Sequence, residues 1–197
     1  MRENNIRFNE TPGASFQDTS FNFKVWALAK RVKLLEECFL HYRQDNENSS
    51  INSSAKVFCV CDEYAEITRF LNEHPEKRAK LDIVKNRLKY DTYIWNYERL
   101  SKEKAKEFIL VASKEFKEDM LNGICLQDAY PWYKWNTLNF IIEDPIGYHH
   151  ERCEGKKLEN KPKGSLIKRG IRCYKENGLF YTVKLFFIKL KRRLRRK

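Results

Sequence analysis

Apolar residues recur every three or four positions through most of residues 57–121, and this periodicity constrains the fold more than any other feature. The spacing indicates three successive amphipathic helices. Their predicted inner faces are Val57, Val60, Cys61, Tyr64, Ile67 and Leu71; then Leu81, Val84, Leu88, Asp91 and Trp95; then Ala105, Phe108, Ala112 and Phe116. Pro75 suits the first turn of the second helix, Ser101 can cap the third, and Gly123 is suited to end it.

The residues before these helices have a different pattern. A further helix is predicted from Thr19 onward, with Asp18 or Thr19 as its N-cap. The stretch "VKLLEECFLHYRQ", residues 32–44, is typical of an extended pair of short strands, and in its second half His41 and Arg43 share one face. The expected fold class is therefore a small α/β part followed by a mainly α-helical region, mostly α overall.

The positive charge is concentrated at one end of the chain. Residues 156–197 hold 16 of the 39 Lys and Arg residues and two of the 27 Asp and Glu residues, a net charge of +14. The other residues carry 23 bases and 25 acids, a net charge of −2. This asymmetry indicates an anionic partner for the C-terminal segment alone.

The last 20 residues, "GLFYTVKLFFIKLKRRLRRK", combine an apolar face with flanking basic residues. This combination favours a helix lying on an anionic membrane surface over nucleic-acid binding, because nucleic acid needs charge without a wide apolar sector. A solvated helix packed on the protein is the structural alternative. The residues predicted to contact the membrane are Phe180, Phe186, Phe187, Lys191, Arg192 and Arg193.

Localisation follows from what the sequence does not contain. No run of about 18 uncharged apolar residues predicts a transmembrane helix. "MRENNIRFNE" has no apolar core typical of a secretory signal, and the six cysteines have no disulfide-framework spacing. The sequence predicts a cytoplasmic protein, peripheral on the inner face of the cell membrane, with reduced thiols.

Two polar groups near the N-terminus are candidates for chemistry. A carboxylate at the start of a helix, as at Asp18, is held by backbone N–H groups in its charged form, as a general base requires. Simple helix capping is the competing interpretation. His41 and Arg43 on one strand face could contact an anionic group, or they could belong to a solvated or ion-paired face.

Metal binding is not predicted, although two clusters contain ligand residue types. Cys59 and Cys61 diverge by roughly 200° if their segment is helical, and Cys61 lies on a core stripe. His149, His150, Glu151 and Cys153 are crowded together without a second spaced pair elsewhere. A last cluster could stack on sugars or bases, but the core interpretation is favoured: Tyr130, Trp132, Tyr133, Trp135 and Phe140.

Residues 11–50, "TPGASFQDTSFNFKVWALAKRVKLLEECFLHYRQDNENSS", closely resemble the middle of bacterial family 2 glycosyltransferases, which have the GT-A fold. In that family a loop ending in an acidic pair or Gln-Asp leads into a helix, and a strand pair ending in Tyr-Arg and a Ser-containing loop follow. Here these motifs are Gln17-Asp18, Tyr42-Arg43 and Ser49-Ser50. The resemblance is specific over about the first 67 residues, through "KVFCVCDEYAEI", and generic beyond them.

The resemblance implies roles for five residues. Asp18 would be the general base that takes the proton from an acceptor hydroxyl as its oxygen attacks the anomeric carbon with inversion. Gln17 would bind substrate beside it, while Arg43 and His41 would lie near the donor diphosphate or the acceptor. Trp26 would be structural or would line the acceptor side.

Family members begin with a nucleotide-binding half that carries a "DDGS"-like motif and an Asp-x-Asp, and neither motif occurs in this sequence. The resemblance therefore implies an acceptor-side portion without its donor half, with no cofactor of its own and with Mg or Mn expected only alongside the missing half. The implied divisions are 1–55, acceptor-side GT-A-like part; 56–154, helical subdomain; 155–178, basic linker and start of the last helix; and 179–197, basic amphipathic helix.

The expected function is sugar transfer from a nucleotide-sugar to a glycan or lipid-linked acceptor, of the hexosyltransferase class. A non-catalytic adaptor on the membrane surface is the alternative. A nucleic-acid-binding protein that uses the basic tail ranks below both, and no nucleic-acid partner is expected.

Overall fold

In the computed structural model, the described residues are 4–10, 16–41 and 56–153, and most of them are helical. They all belong to one compact unit, Met1–Cys153. The elements in order are α1 (Gln17–Leu28), α2 (Cys59–Asn72), α3 (Pro75–Arg99), α4 (Lys102–Leu121), a 3-10 turn (Gln127–Ala129), α5 (Trp132–Glu143) and α6 (Pro145–Cys153). The expectation of a mostly α protein is confirmed.

Helix ends follow the predicted signals. Pro75 is the first residue of α3, where its missing N–H costs no hydrogen bond. The Ser101 hydroxyl caps α4 by accepting a 3.4 Å hydrogen bond from the backbone N–H of Lys104. Gly123 follows α4 with φ +70°, a conformation that glycine adopts at little cost.

The core lies where α2, α3 and α4 meet, and α5 and α6 cover α4. The predicted inner faces of α2 and α4 are confirmed, apart from Cys61, which is half-buried. Phe108 and Phe116 of α4 are fully buried and hold the Tyr93 ring of α3 between them, with edge-on ring centroids 5.3 and 5.4 Å away. Aromatic side chains thus supply much of the apolar area that joins α3 to α4.

The predicted inner face of α3 is wrong. Val84, Leu88 and Trp95 are each nearly half exposed, at 46%, 47% and 46%. The buried residues of α3 are instead Asp82, Lys85, Asn86, Lys89, Tyr90, Tyr93, Asn96 and Tyr97. The helical period is right, but the buried face is rotated, because the polar side chains find partners on neighbouring helices and the tyrosine rings supply the packing.

The predicted pair of strands is not found. Residues 32–41, the described part of that stretch, form neither helix nor strand, and every side chain among them is exposed. A strand needs a neighbouring strand to pair its backbone groups, and no described segment of the chain offers one. The α/β character expected for residues 1–55 is therefore absent from the described part of that range, where α1 is the main element and packs on α2.

Candidate functional site

Helix α1 begins with an unusual residue. Phe16 occupies the N-cap position with φ 63° and ψ 3°, and no side chain caps the helix, so the predicted cap at Asp18 or Thr19 is wrong. The Phe16 ring lies edge-on to Trp95, with centroids 5.6 Å apart, and the Arg99 guanidinium lies 5.2 Å from the Phe16 centroid. These contacts from α3 fix the left-handed turn, and the turn sets where Asp18 lies.

Asp18 is the second residue of α1 and is exposed. Its carboxylate makes no hydrogen bond or ion pair with any described residue, so the capping interpretation does not hold. Gln17, half-buried, precedes it in the first turn. A carboxylate in this position is free to accept a hydrogen bond from a ligand hydroxyl.

Buried polar contacts hold α1 on α2. Glu63 is fully buried, and its Oε2 accepts a 3.1 Å hydrogen bond from the backbone N–H of Ser20 in the first turn of α1. One turn further, Lys24 donates to Glu66 at 3.0 Å and to the carbonyl of Arg7 at 2.9 Å. The hydrogen bonds from Arg69, reinforced by Lys24, lower the pKa of Glu66 to about 2. Sequence reasoning missed this anchor, although Glu63 and Glu66 lie one turn apart.

An apolar groove of about 340 Å³ runs along α1. Trp26 stands at its rim with 60% of its surface exposed, and Asn22 lies one turn before it. Asp18, Asn22 and Trp26 are spaced by four residues and so share one side of α1. The other lining residues are Thr19, Phe23 and Ala27 of α1, Tyr64 and Ile67 of α2, and Leu81, Val84 and Leu88 of α3.

Of the remaining predicted site residues, His41 is the one that the structure describes. It is exposed and does not line the groove. Arg43 lies outside the described residues. So do all the predicted membrane-contacting residues: Phe180, Phe186, Phe187, Lys191, Arg192 and Arg193.

The Cys and His clusters are only partly buried: Cys59, Cys61 and Cys153 are half-buried, and His150 and Glu151 are exposed. His149 is buried, and its Nδ1 lies 2.9 Å from the Tyr97 hydroxyl. Burial lowers the pKa of His149, which favours a neutral ring. Cys153 Sγ lies 3.6 and 3.5 Å from the two ring nitrogens of His149. Because the two distances are nearly equal, the thiol is not aligned with the lone pair of either nitrogen. Among residues 4–10, 16–41 and 56–153, no cluster of three or more His, Cys, Asp or Glu is arranged to hold a metal ion.

The aromatic cluster divides into two groups. Tyr130 is buried, and Trp135 and Phe140 pack against the core, as the core interpretation expects. Trp132 and Tyr133 are about half exposed at the start of α5.

A second cavity, of about 660 Å³, was not anticipated from the sequence. This polar cleft lies between α2, α3 and the C-terminal half of α4, which ends beside Asn122 and Ile124. Lys89 is buried on its wall and donates 2.8 Å hydrogen bonds to Glu115 and to Asp119. Burial opposes the charge of Lys89, but these two carboxylates outweigh that effect and raise its pKa.

Hydrogen bonds extend from the polar cleft into the core. Asn86 donates to Asp119 at 2.7 Å, and the Tyr130 hydroxyl donates to Asn86. Tyr93 donates to Glu115 at 2.6 Å. The signal in the sequence was Asp, Lys and Asn at helical spacing on α3, facing Glu115 and Asp119 one turn apart on α4.

Comparison of the chain with protein families, with curated proteins and with solved structures finds no match. Within the part of the chain that the structure describes, no helix is both long enough and apolar enough to cross a membrane.

Proposed function

We propose that this chain takes part in inverting glycosyl transfer from a nucleotide-sugar to a glycan or lipid-linked acceptor, with Asp18 as the general base. The observation that carries the proposal is the Asp18 carboxylate, exposed in the first turn of α1 and unpaired with any described residue. The resemblance of residues 11–50 to family 2 glycosyltransferases supports the same assignment.

In the proposed reaction the acceptor hydroxyl donates a hydrogen bond to Asp18, which takes its proton as the oxygen attacks the anomeric carbon. The bond from that carbon to the nucleotide diphosphate breaks, and the diphosphate leaves with the electron pair. Attack opposite the leaving group inverts the anomeric configuration. A general base must come within about 2.6–3.2 Å of the hydroxyl oxygen, which an exposed, unpaired carboxylate allows.

The groove beside Asp18 is the proposed acceptor side. Trp26 offers an aromatic face to the C–H surface of a sugar or to an apolar aglycone, and Asn22 offers an amide group one turn after the base. Gln17, which precedes the base, is proposed to contact the substrate. We propose that His41 and Arg43 act nearer the donor diphosphate or the acceptor.

The residues present do not fit the divalent metal that this family holds on the donor diphosphate. The sequence has no Asp-x-Asp, and the described residues contain no cluster suited to a metal. We therefore propose no metal-binding role for these residues.

The test of this function joins the nucleotide-sugar-binding half of a family 2 glycosyltransferase to the full chain. We expect acceptor-dependent release of nucleotide diphosphate from a UDP-sugar and, by NMR, a product whose anomeric configuration is inverted. A product with retained configuration would contradict the proposal, because a single displacement assisted by a general base cannot retain it.

We also propose that the C-terminal segment associates with an anionic membrane surface. Such an association would equally support the second candidate function, a non-catalytic adaptor on the membrane. The supporting observation is the net charge of +14 over residues 156–197, together with Phe180, Phe186 and Phe187. The full chain should float with vesicles containing phosphatidylserine, and a chain without residues 179–197 should not. Binding to DNA that weakens steeply with salt, without vesicle binding, would favour a nucleic-acid partner instead.

A further inference from the structure

The polar cleft has the size and burial of a ligand site. Its volume of about 660 Å³ lies within the range of small-molecule pockets. Lys85 and Lys89 are only 3% and 6% exposed, and both belong to its lining. Burying an ammonium group costs free energy unless it is paired with a carboxylate or with a bound ligand. Whether the cations of this cleft already have carboxylate partners therefore decides which ligand the cleft suits.

Every cation that lines the polar cleft is already paired with a carboxylate. The pairs are Arg69 with Glu66, Arg78 and Lys85 with Asp82, and Lys89 with Glu115 and Asp119. At the buried pairs of Lys85 and Lys89, a charged ligand would have to displace one partner and leave a buried charge uncompensated, which costs several kilocalories per mole. The part of the cleft beside these two lysines therefore disfavours free phosphate, carboxylates and simple cations.

The polar side chains at the rim of the cleft, unlike these cations, have no partner among the described residues. Asn72 at the end of α2, Glu118 on α4 and Asn122 after α4 are exposed, and their side chains make no hydrogen bond with any described residue. They offer two amides and a carboxylate toward the same opening. Tyr64, Ala65 and Ile124 add apolar surface between these polar groups.

We infer that the polar cleft binds a neutral, polyhydroxylated ligand, a saccharide. A hydroxyl donates one hydrogen bond and accepts others, so it can bridge the ammonium and the carboxylate of an existing pair without breaking it. The free amides and carboxylate at the rim supply the remaining partners. This cavity differs from the groove beside Asp18, although Tyr64 lines both, and it requires neither Asp18 nor a donor.

The test is saturation-transfer NMR on the intact chain, with the methyl glycosides of glucose, galactose and mannose as probes and inorganic phosphate as a competitor. We expect at least one glycoside to receive saturation, with no displacement by phosphate. The Glu118→Ala and Asn122→Ala variants should bind about tenfold more weakly, which corresponds to about 1.4 kcal/mol. Both positions are exposed, so the variants should keep the fold, and circular dichroism checks this.

Two control variants separate this site from other surfaces. Glu107→Ala and Glu103→Gln each remove an exposed carboxylate on α4 outside the cleft, and neither variant should change glycoside binding. Failure of all three glycosides to bind, displacement by phosphate, or binding that is indifferent to Glu118→Ala and Asn122→Ala would overturn the inference. Since binding is measured without transfer, none of these results bears on the proposed role of Asp18.

Discussion

The Lys89 ammonium on α3 donates a 2.8 Å hydrogen bond to the Asp119 carboxylate on α4, and both side chains are buried. Asn86 donates to the same carboxylate oxygen at 2.7 Å. A charged pair of this kind joins two helices through polar contacts where most bundles use apolar ones. The free energy of unfolding should therefore fall by different amounts when one partner of the pair is replaced and when both are replaced.

Replacing Lys89 alone should destabilise the protein strongly. Lys89→Met leaves the carboxylates of Glu115 and Asp119 without their cation, and breaking a buried pair in this way costs about 3–5 kcal/mol. The double variant Lys89→Met with Asp119→Leu should recover a large part of the loss, because it removes the uncompensated charge as well. Urea unfolding measures both, and a loss below about 1 kcal/mol for Lys89→Met would show that the pair is not buried as described.

Acid should weaken the contact between α1 and α2. The folded pKa of Glu66 is lowered to about 2 from its usual 4.5, mainly by hydrogen bonds from Arg69 and then by Lys24. A lowered acid pKa stabilises the fold above about pH 4.5, and this contribution is lost as the pH falls from about 4.5 toward about 2. The difference in melting temperature between the wild type and Glu66→Gln should shrink over that window. The exposed Glu76→Gln variant is the control, and an unchanged difference for Glu66→Gln would contradict the assignment.

Thiol reactivity should separate the cysteines by burial. Burial, followed by the charge of Glu115, raises the pKa of Cys61 to about 12, and burial raises that of Cys125 to about 11. Cys38 is exposed. At pH 8 iodoacetamide should modify Cys38 well before Cys61 or Cys125, because only the thiolate reacts. Peptide mapping with and without urea measures this order, and equal rates in the folded protein would contradict the packing of α2.

The end of α4 should depend on glycine. Gly123 has φ +70°, and a Cβ there would meet no atom within 4 Å, so the cost of Gly123→Ala is conformational. We expect a loss of about 1–2 kcal/mol in the free energy of unfolding. Asn122→Ala, one residue earlier and at negative φ, is the matched control and should change stability little. An unaltered stability for Gly123→Ala would mean that the turn is not left-handed.

The sequence predicted local features better than contacts between residues that are distant in the chain. Several predictions that depend only on residues close in sequence are confirmed. They are the helix-start signals at Pro75 and Ser101, the turn at Gly123, and the apolar stripes of α2 and α4. The buried face of α3 was missed, since periodicity assigns burial to apolar residues and cannot show that Lys89 meets Asp119 thirty residues away. Residues 32–41 have strand-forming side chains, but strand formation depends on a neighbour that local sequence does not reveal.

The candidate site was predictable only in part. The position of Asp18 follows from the start of α1 at Gln17, directly after the N-cap Phe16. That start depends on contacts of the Phe16 ring with Trp95 and Arg99 from α3, which no local cap signal reveals. The groove along Trp26 was not foreseen, because its far wall is the misassigned face of α3. The roles of Gln17, His41 and Arg43 stay predictions.

The central claim is that Asp18 is the general base, and the direct measurement is the transfer rate of the chain joined to a donor half, before and after Asp18→Asn. The account predicts a fall of about 10²–10⁴-fold, the usual contribution of a general base. Glu103→Gln is the matched control, because Glu103 is also an exposed carboxylate at the second position of a helix, and this variant should leave the rate unchanged. A transfer rate that survives Asp18→Asn, or that falls equally with Glu103→Gln, would contradict the account.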